Sequence, residues 1–124
     1  MDIIISNSSG KPIYEQITSQ IKNMIISGEL KEGIALPSMR LLAKELKISV
    51  ITTKRAYQDL ERDGFIETVT GKGSFVAKRN LELIKEEQLK KIEENIQKAV
   101  DIAKSSNISY ENLKEILEIT YKEE

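Results

Sequence analysis

The chain has 124 residues, of which 40% are hydrophobic and 31% charged, a composition typical of one soluble domain or of a small domain with an appendage. The formal net charge is −1, and there is neither Cys nor His, which excludes disulfides, thiolate or imidazole metal sites and histidine-dependent catalysis, so we expect no cofactor and no enzymatic activity. Because no apolar run exceeds three residues and no signal peptide is visible, we expect a cytoplasmic protein without a membrane partner.

Three helices are predicted in the first half of the chain. The first begins at Pro12, whose missing N–H is harmless in an opening turn, and ends at Gly28. Its apolar residues recur at helical spacing and are expected to face a core: Ile13, Ile17, Ile21, Met24 and Ile25. Ahead of it, residues 3–5 are compatible with a short strand or an arm, and whether residues 1–10 are ordered stays open.

The next two helices are joined by a short turn. Ser38 and Ser49 are the expected N-caps, and Lys47 and Ile48 form the turn. The residues expected to face inward are Leu41, Leu42 and Leu46 in the first of these helices and Thr53, Ala56, Tyr57 and Leu60 in the second. Two helices with such a turn, the second capped by Ser, have helix-turn-helix geometry.

A β-hairpin is predicted directly after these helices. Residues 65–69 alternate in the manner of a strand, Gly71 and Gly73 supply a turn, and residues 74–76 return as a second strand. Lys72 places one positive charge at the tip. A hairpin in this position after a helix-turn-helix is called a wing.

The last part of the chain, residues 80–124, is predicted to be helical and contains no Gly or Pro. One apolar seam advances in steps of three and four and is expected to pack on another helix: Leu89, Ile92, Ile96, Ala99 and Ala103. Residues 105–107 interrupt this helix, and Ser109 caps a last one whose apolar side contains Leu113, Ile116, Leu117 and Thr120. A long helix has little else on which to bury such a seam, which favours a homodimer over packing within one chain.

The charges are distributed unevenly along the chain. Residues 40–79 contain nine basic and five acidic residues, a net charge of +4, whereas residues 80–124 contain seven basic and eleven acidic residues, a net charge of −4. Residues 1–39 carry a net charge of −1. A basic segment between two acidic ones favours a nucleic-acid partner, which the total charge alone would argue against.

The order and spacing of these motifs resemble those of the GntR family of bacterial winged helix-turn-helix transcription regulators. The resemblance extends over residues 12–76 and begins with Pro-Ile-Tyr-Glu-Gln-Ile at residues 12–17. It continues through Gly28-Glu29-Leu30, Gly33, Leu36-Pro37-Ser38-Met39-Arg40, Leu42-Ala43, Ser49, Thr52, Ala56-Tyr57, Leu60, Gly64, Gly71, Gly73 and Phe75-Val76. The two-helix remainder is far shorter than the family's usual ligand domains and resembles the YtrA-like branch, in which the tail is chiefly a dimerisation element.

The resemblance implies a mainly α fold with a small β-hairpin wing. Residues 1–79 would form the winged helix-turn-helix domain and residues 80–124 the helical dimerisation tail, with double-stranded operator DNA as the partner. A recognition helix enters the major groove by its N-terminal residues, and the wing is expected at the minor groove. The candidate DNA-binding residues are Arg40, Ser49, Val50, Ile51, Thr52, Lys54, Arg55, Gly71, Lys72 and Gly73.

One position departs from the family pattern. Val50 stands where many members have Arg directly after the Ser, so a base-reading arginine is absent there. This leaves Val50 or Ile51 to contact a thymine methyl group, and the operator is expected to differ from the family's usual one. The missing cation also predicts that the affinity for DNA falls slightly less steeply with salt concentration.

The sequence therefore predicts a homodimeric repressor that binds a pseudo-palindromic operator. The resemblance further implies control of transporter genes. The short tail offers no separate ligand domain, so regulation is expected either through a small-molecule effector at the dimer interface or the base of the wing, or through the expression level of the protein. The alternative function is a winged-helix module that binds proteins and has no DNA-binding activity. The operator sequence, the effector, the regulated genes and the choice between repression and activation do not follow from the sequence.

Overall fold

The computed structural model describes residues 1–78 and 81–123, apart from the side chains of residues 81 and 83. It separates into two compact units, Met1–Leu81 and Glu82–Glu124. The boundary expected between residues 79 and 80 lies outside the described residues.

The first unit is a winged helix. Its elements are helices α1 (Ile13–Ile26), α2 (Met39–Leu46) and α3 (Val50–Arg62) and strands β1 (Ile66–Val69) and β2 (Gly73–Val76). The strands pair antiparallel with Ile66 opposite Val76, and Ala35 adds an isolated bridge to Phe75. The hairpin follows α3 directly, which confirms the predicted mainly α fold with a small wing.

The predicted serine caps are present at the helix starts. The Ser38 side chain accepts a hydrogen bond from the Leu41 N–H, and the Ser49 side chain accepts one from the Ile51 N–H, both at 3.1 Å. Each satisfies one of the N–H groups that an opening helical turn leaves unpaired. Between the two helices, Lys47 adopts the left-handed conformation at φ 57°, which turns the chain from α2 into α3.

Side chains of α3 fix its position against α2 and the segment before it. Tyr57 is buried, and its hydroxyl donates a hydrogen bond of 2.7 Å to the Pro37 carbonyl. Thr53 is also buried, and its hydroxyl is within 2.9 Å of the Met39 carbonyl oxygen. Burial, with a smaller contribution from the charge of Glu45, raises the pKa of Tyr57 well above its usual range, so the hydroxyl stays protonated and remains a donor. The surrounding core contains Ile17, Ile21, Leu42, Ala56, Leu60 and Ile66.

The buried face of α2 differs in one position from the expected one. Leu42 and Ala43 are buried and Leu46 is partly buried, but Leu41 is 47% exposed. Successive side chains of a helix are rotated by about 100° around its axis. With Leu42 pointing into the core, Leu41 and Ala43 therefore flank it on opposite sides, and only one of these sides is buried. The prediction that Leu41 faces inward is therefore wrong, and Ala43 takes that place.

Residues 3–6 form an N-terminal arm that is held by two glutamine side chains of α1. Gln20 accepts a hydrogen bond from the Ile4 N–H at 2.9 Å and donates one to the Ile4 carbonyl at 2.7 Å. Gln16 does the same for Ser6, at 2.8 and 2.9 Å. Each amide thus pairs with both the N–H and the carbonyl of one residue, as the backbone of a neighbouring strand would. No described strand pairs with the arm. The alternation of an extended chain buries Ile3 and leaves Ile4 exposed.

The second unit is a pair of helices, α4 (Leu81–Ser105) and α5 (Tyr110–Lys122). Asn107 adopts the left-handed conformation at φ 57° in the connection, and the Ile108 N–H donates to the Ala103 carbonyl at 2.9 Å. Ser109 caps α5 by accepting from the Asn112 N–H at 3.1 Å. The break at residues 105–107 and the cap were both predicted.

We expect Tyr57→Phe to lower the free energy of unfolding by about 1–2 kcal/mol, because the Pro37 carbonyl loses its donor in a poorly hydrated place. Urea unfolding followed by circular dichroism measures the change. Tyr121→Phe is the matched control, since this tyrosine is exposed, and it should lie within about 0.5 kcal/mol of the wild type. Equal stability of the two variants would show that the Tyr57 hydroxyl contributes nothing.

Candidate nucleic-acid interface

The first two turns of α3 present half of the predicted DNA-binding residues. Val50 and Ile51 are both exposed, and Thr52 is half-buried. Lys54 and Arg55, in the second turn, are exposed. The buried stripe of α3 consists of Thr53, Ala56, Tyr57 and Leu60. At about 100° per residue, this stripe places Ile51 and Arg55 on the opposite, outward side of the helix.

The charge at the start of α2 and α3 differs from that of the other helices. Glu15, Glu82 and Glu111 lie in the first turns of α1, α4 and α5. In contrast, α2 and α3, both described over their whole length, have no acidic residue in the first turn. The partial positive charge of these two helix ends therefore stays uncompensated and favours an anion.

Arg40 adds a full positive charge to the same region. It is the second residue of α2 and is exposed, and Ser38 caps the helix just before it. Arg40 at the start of α2 and Lys54 and Arg55 in α3 place three cations on the helix-turn-helix. Such a set suits phosphate groups, for which Arg offers a planar fork of donors.

Arg55 is oriented by a contact that the sequence analysis did not identify. Its guanidinium lies 3.8 Å from the ring centroid of Tyr14 on α1, a close cation–π stack. The guanidinium carbon therefore lies in direct contact with the ring. Tyr14 was noted only as part of the motif at residues 12–17. The two residues are 41 positions apart, so no local spacing indicated their contact.

The wing tip has the backbone that its glycines predict. Gly71 and Gly73 have φ of 79° and 114°, a region that side chains with a Cβ rarely adopt. Lys72 lies between them and is exposed, and its N–H donates to the Val69 carbonyl at 2.9 Å. The turn therefore presents one cation at the tip of the hairpin.

A hydrogen bond ties the wing to α3. Thr68 on β1 donates to a carboxylate oxygen of Glu61, on the last turn of α3, at 3.1 Å. Its hydroxyl is also 3.2 Å from that of Ser74 on the opposite strand. This chain of contacts fixes the hairpin relative to the helix that carries Ile51 and Arg55.

Arg62, on the outward side of α3, is engaged within the chain. Its guanidinium contacts Asp59 at 2.9 Å and Asp63 at 3.4 Å. Asp63 also accepts from the Lys22 ammonium at 2.8 Å, and chiefly this hydrogen bond holds the pKa of Asp63 below its usual range. Arg62 is therefore a cation whose charge is already compensated, in contrast to Arg40.

The predicted dimerisation residues form an apolar face in the second unit. Leu89, Ile92 and Ile96 on α4 and Ile116 and Leu117 on α5 are exposed. Ala99 is also exposed and Leu113 is half-buried, and a cavity of about 380 Å³ lies between the two helices. Ala103 differs, because it is only 2% exposed within the single chain and has little surface left for a partner.

Two other kinds of site are absent from the described part of the chain. No group of three Asp or Glu side chains there is arranged to hold a metal ion. No helix among the described residues is long and apolar enough to cross a membrane.

Comparisons with known proteins connect this geometry to a family. Residues 13–76 match the family described as bacterial regulatory proteins, gntR family. The HTH-type transcriptional repressor YtrA of Bacillus subtilis is 34% identical over 113 residues, which are 91% of this chain and 87% of that protein.

Solved structures agree with this match. A GntR family transcriptional regulator from Listeria monocytogenes superposes with a TM-score of 0.71 at 30% identity, over 94% of this chain and 99% of that one. The DNA-binding domain of AraR, solved in complex with operator ORX1, superposes with a TM-score of 0.55 at 25% identity, over 62% of this chain and 96% of that one.

The family match lies on the winged helix, and the similarity to YtrA continues into the two-helix unit. The chain belongs to the GntR family of bacterial regulatory proteins and is a winged helix-turn-helix DNA-binding transcription regulator that resembles the YtrA-like branch.

Proposed function

We propose that this protein is a homodimeric repressor that binds a pseudo-palindromic operator and acts in the cytoplasm. The observation that carries the proposal is the uncompensated positive charge at the first turns of α2 and α3, next to the exposed Arg40, Lys54 and Arg55. The similarity to a repressor, YtrA, and to the operator-bound AraR domain supports it.

In this proposal, the first turn of α3 enters the major groove. Arg40, Lys54 and Arg55 neutralise phosphates or donate to base edges, and Ser49 and Thr52 offer short hydroxyl donors. The wing places Lys72, between Gly71 and Gly73, at the minor groove. Residues 1–79 act as the DNA-binding domain and residues 80–124 as the dimerisation tail.

Dimerisation through α4 and α5 would bury the apolar face of the second unit. Contiguous exposed apolar surface of this kind marks an interaction site, and a second copy offers the same face in return. Two winged helices would then contact half-sites about one helical turn apart, on the order of 10 bp. The net charge of −4 in residues 80–124 favours a position away from the DNA phosphates.

Control of transporter genes, which rests on the resemblance, and release by a small-molecule effector complete the proposal, with control through the expression level of the protein as the alternative to an effector. An effector would bind at the dimer interface or the base of the wing. The second candidate function is a module that binds proteins without binding DNA, and it is based on the net charge of −1 and on Val50 in the place of a base-reading Arg.

We expect the full-length protein to bind the DNA upstream of its own gene at least about a thousandfold more tightly than scrambled DNA at moderate salt. Arg40→Ala should weaken binding to both DNAs about tenfold. It should also reduce the slope of log K against log salt concentration by about one, because one phosphate contact is lost. Fluorescence anisotropy across roughly 50–300 mM salt measures both effects.

Arg62→Ala is the matched control for Arg40→Ala, because Arg62 is paired with Asp59 and Asp63. It should stay within about twofold of the wild type. Equal losses in the two variants would contradict the placement of the site at the start of α2. Absence of DNA binding even at low salt would favour the protein-binding alternative.

Tyr14→Leu should weaken DNA binding about three- to tenfold, because Arg55 loses the ring that orients its guanidinium. Tyr14→Phe keeps the ring face and should bind within about twofold of the wild type. Anisotropy titrations of both variants, in the native and in an Arg55→Ala background, measure the coupling. If Tyr14→Leu weakens binding equally in both backgrounds, the ring does not act through Arg55.

Ile92→Glu and Leu117→Glu should each shift the protein from dimer to monomer at micromolar concentration, because a buried carboxylate would oppose a second copy. Sedimentation velocity measures the change. Lys90→Glu, on the opposite side of α4, also adds a negative charge and should remain dimeric. A wild-type protein that sediments as a monomer at this concentration would contradict the dimer.

A further inference from the structure

Ile51 is an aliphatic side chain that is 76% exposed in the first turn of α3. Val50 beside it is also exposed. Single exposed apolar side chains are common on proteins and need no explanation by themselves. This one is informative because of the surface in which it lies.

That surface is otherwise cationic and polar. Ile51 shares the outward side of α3 with Arg55, whose guanidinium is held against Tyr14 one turn further along. Lys54 is exposed beside it, and no acidic residue lies in this first turn. An apolar group with cations beside it suits a ligand that carries negative charges next to an apolar group.

DNA has this combination in its major groove. The phosphates line both sides of the groove, and the methyl group at C5 of thymine is the apolar group that a base edge presents there. We propose that Ile51, with Val50 beside it, reads a thymine methyl group and makes a T·A pair part of the preferred half-site. The inference rests on the proposed DNA binding and specifies what the first turn of α3 recognises.

A protein partner fits the same patch less well. Two aliphatic side chains cover far less than the roughly 800 Å² that each partner buries in a stable protein interface. The cations Arg40, Lys54 and Arg55 would also have to be desolvated or paired by such a partner. On DNA, the phosphates neutralise these charges while a methyl group meets Ile51.

Deoxyuridine tests the inference because it differs from thymidine only by this methyl group and pairs in the same way. The operator is first selected from random DNA with the full-length wild-type protein. Each thymine of the selected half-site is then replaced singly by deoxyuridine, and the Kd is measured by anisotropy. We expect the Kd to rise about fourfold at one position of the half-site, the effect of losing one buried methyl contact.

Ile51→Ala links the effect to the side chain. It should weaken binding to the thymine operator and should bind the deoxyuridine operator with no further loss at that position. Ile4→Ala is the matched control, since Ile4 is 77% exposed but lies on the N-terminal arm. It should retain the fourfold difference, and circular dichroism confirms that both variants are folded.

The outcomes separate this inference from the proposed function. Wild-type protein that selects no DNA sequence contradicts both. Sequence-specific binding that no deoxyuridine replacement weakens contradicts the thymine contact alone. If Ile51→Ala keeps the full difference between thymine and deoxyuridine, another residue reads the methyl group and the role of Ile51 is wrong.

Discussion

The placement of the candidate interface depends on two hydroxyl groups of α3 that hydrogen-bond to backbone at the start of α2. Tyr57 donates to the Pro37 carbonyl just before that helix, and Thr53 donates to the Met39 carbonyl in its first turn. Both donors are buried, so water does not compete for these bonds. They hold the first turn of α2, with Arg40, at a defined distance from the first turn of α3. These two bonds therefore link the uncompensated end of α2 to α3.

The arginines near the candidate interface carry equal charges but differ in how far contacts within the chain already engage them. Arg62 is compensated by Asp59 and Asp63, Arg55 is stacked on an uncharged ring, and Arg40 has no acidic residue in its helical turn. The carboxylates that compensate charge in this part of the chain lie at the end of α3 and not at its start. Charge counted along the sequence would have treated all three arginines alike.

The features that local sequence determines were predicted correctly. Capping by Ser38, Ser49 and Ser109 could be predicted because each precedes a segment with helical periodicity. A Ser hydroxyl at that place accepts a hydrogen bond from an otherwise unpaired N–H of the first turn. Leu41 was misplaced because three neighbouring apolar residues fit two adjacent helical faces, and only the packing of α3 selects one. The stack of Tyr14 on Arg55 and the link from Thr68 to Glu61 could not be predicted, since they depend on how distant elements meet. The roles of the site residues themselves stay predictions.

The N-terminal arm has a consequence for the order in which the chain opens and closes. Its four hydrogen bonds to Gln16 and Gln20 require both amides on one face of α1, which exists only once that helix has formed. The arm can therefore dock only after α1 has formed, and its detachment is a local opening that does not require α1 to unfold. When it detaches, Ile3 leaves the core and the adjoining face of α1 is exposed to solvent. In native-state hydrogen exchange, the amides of Ile4 and Ser6 would lose protection together, well before those of α3.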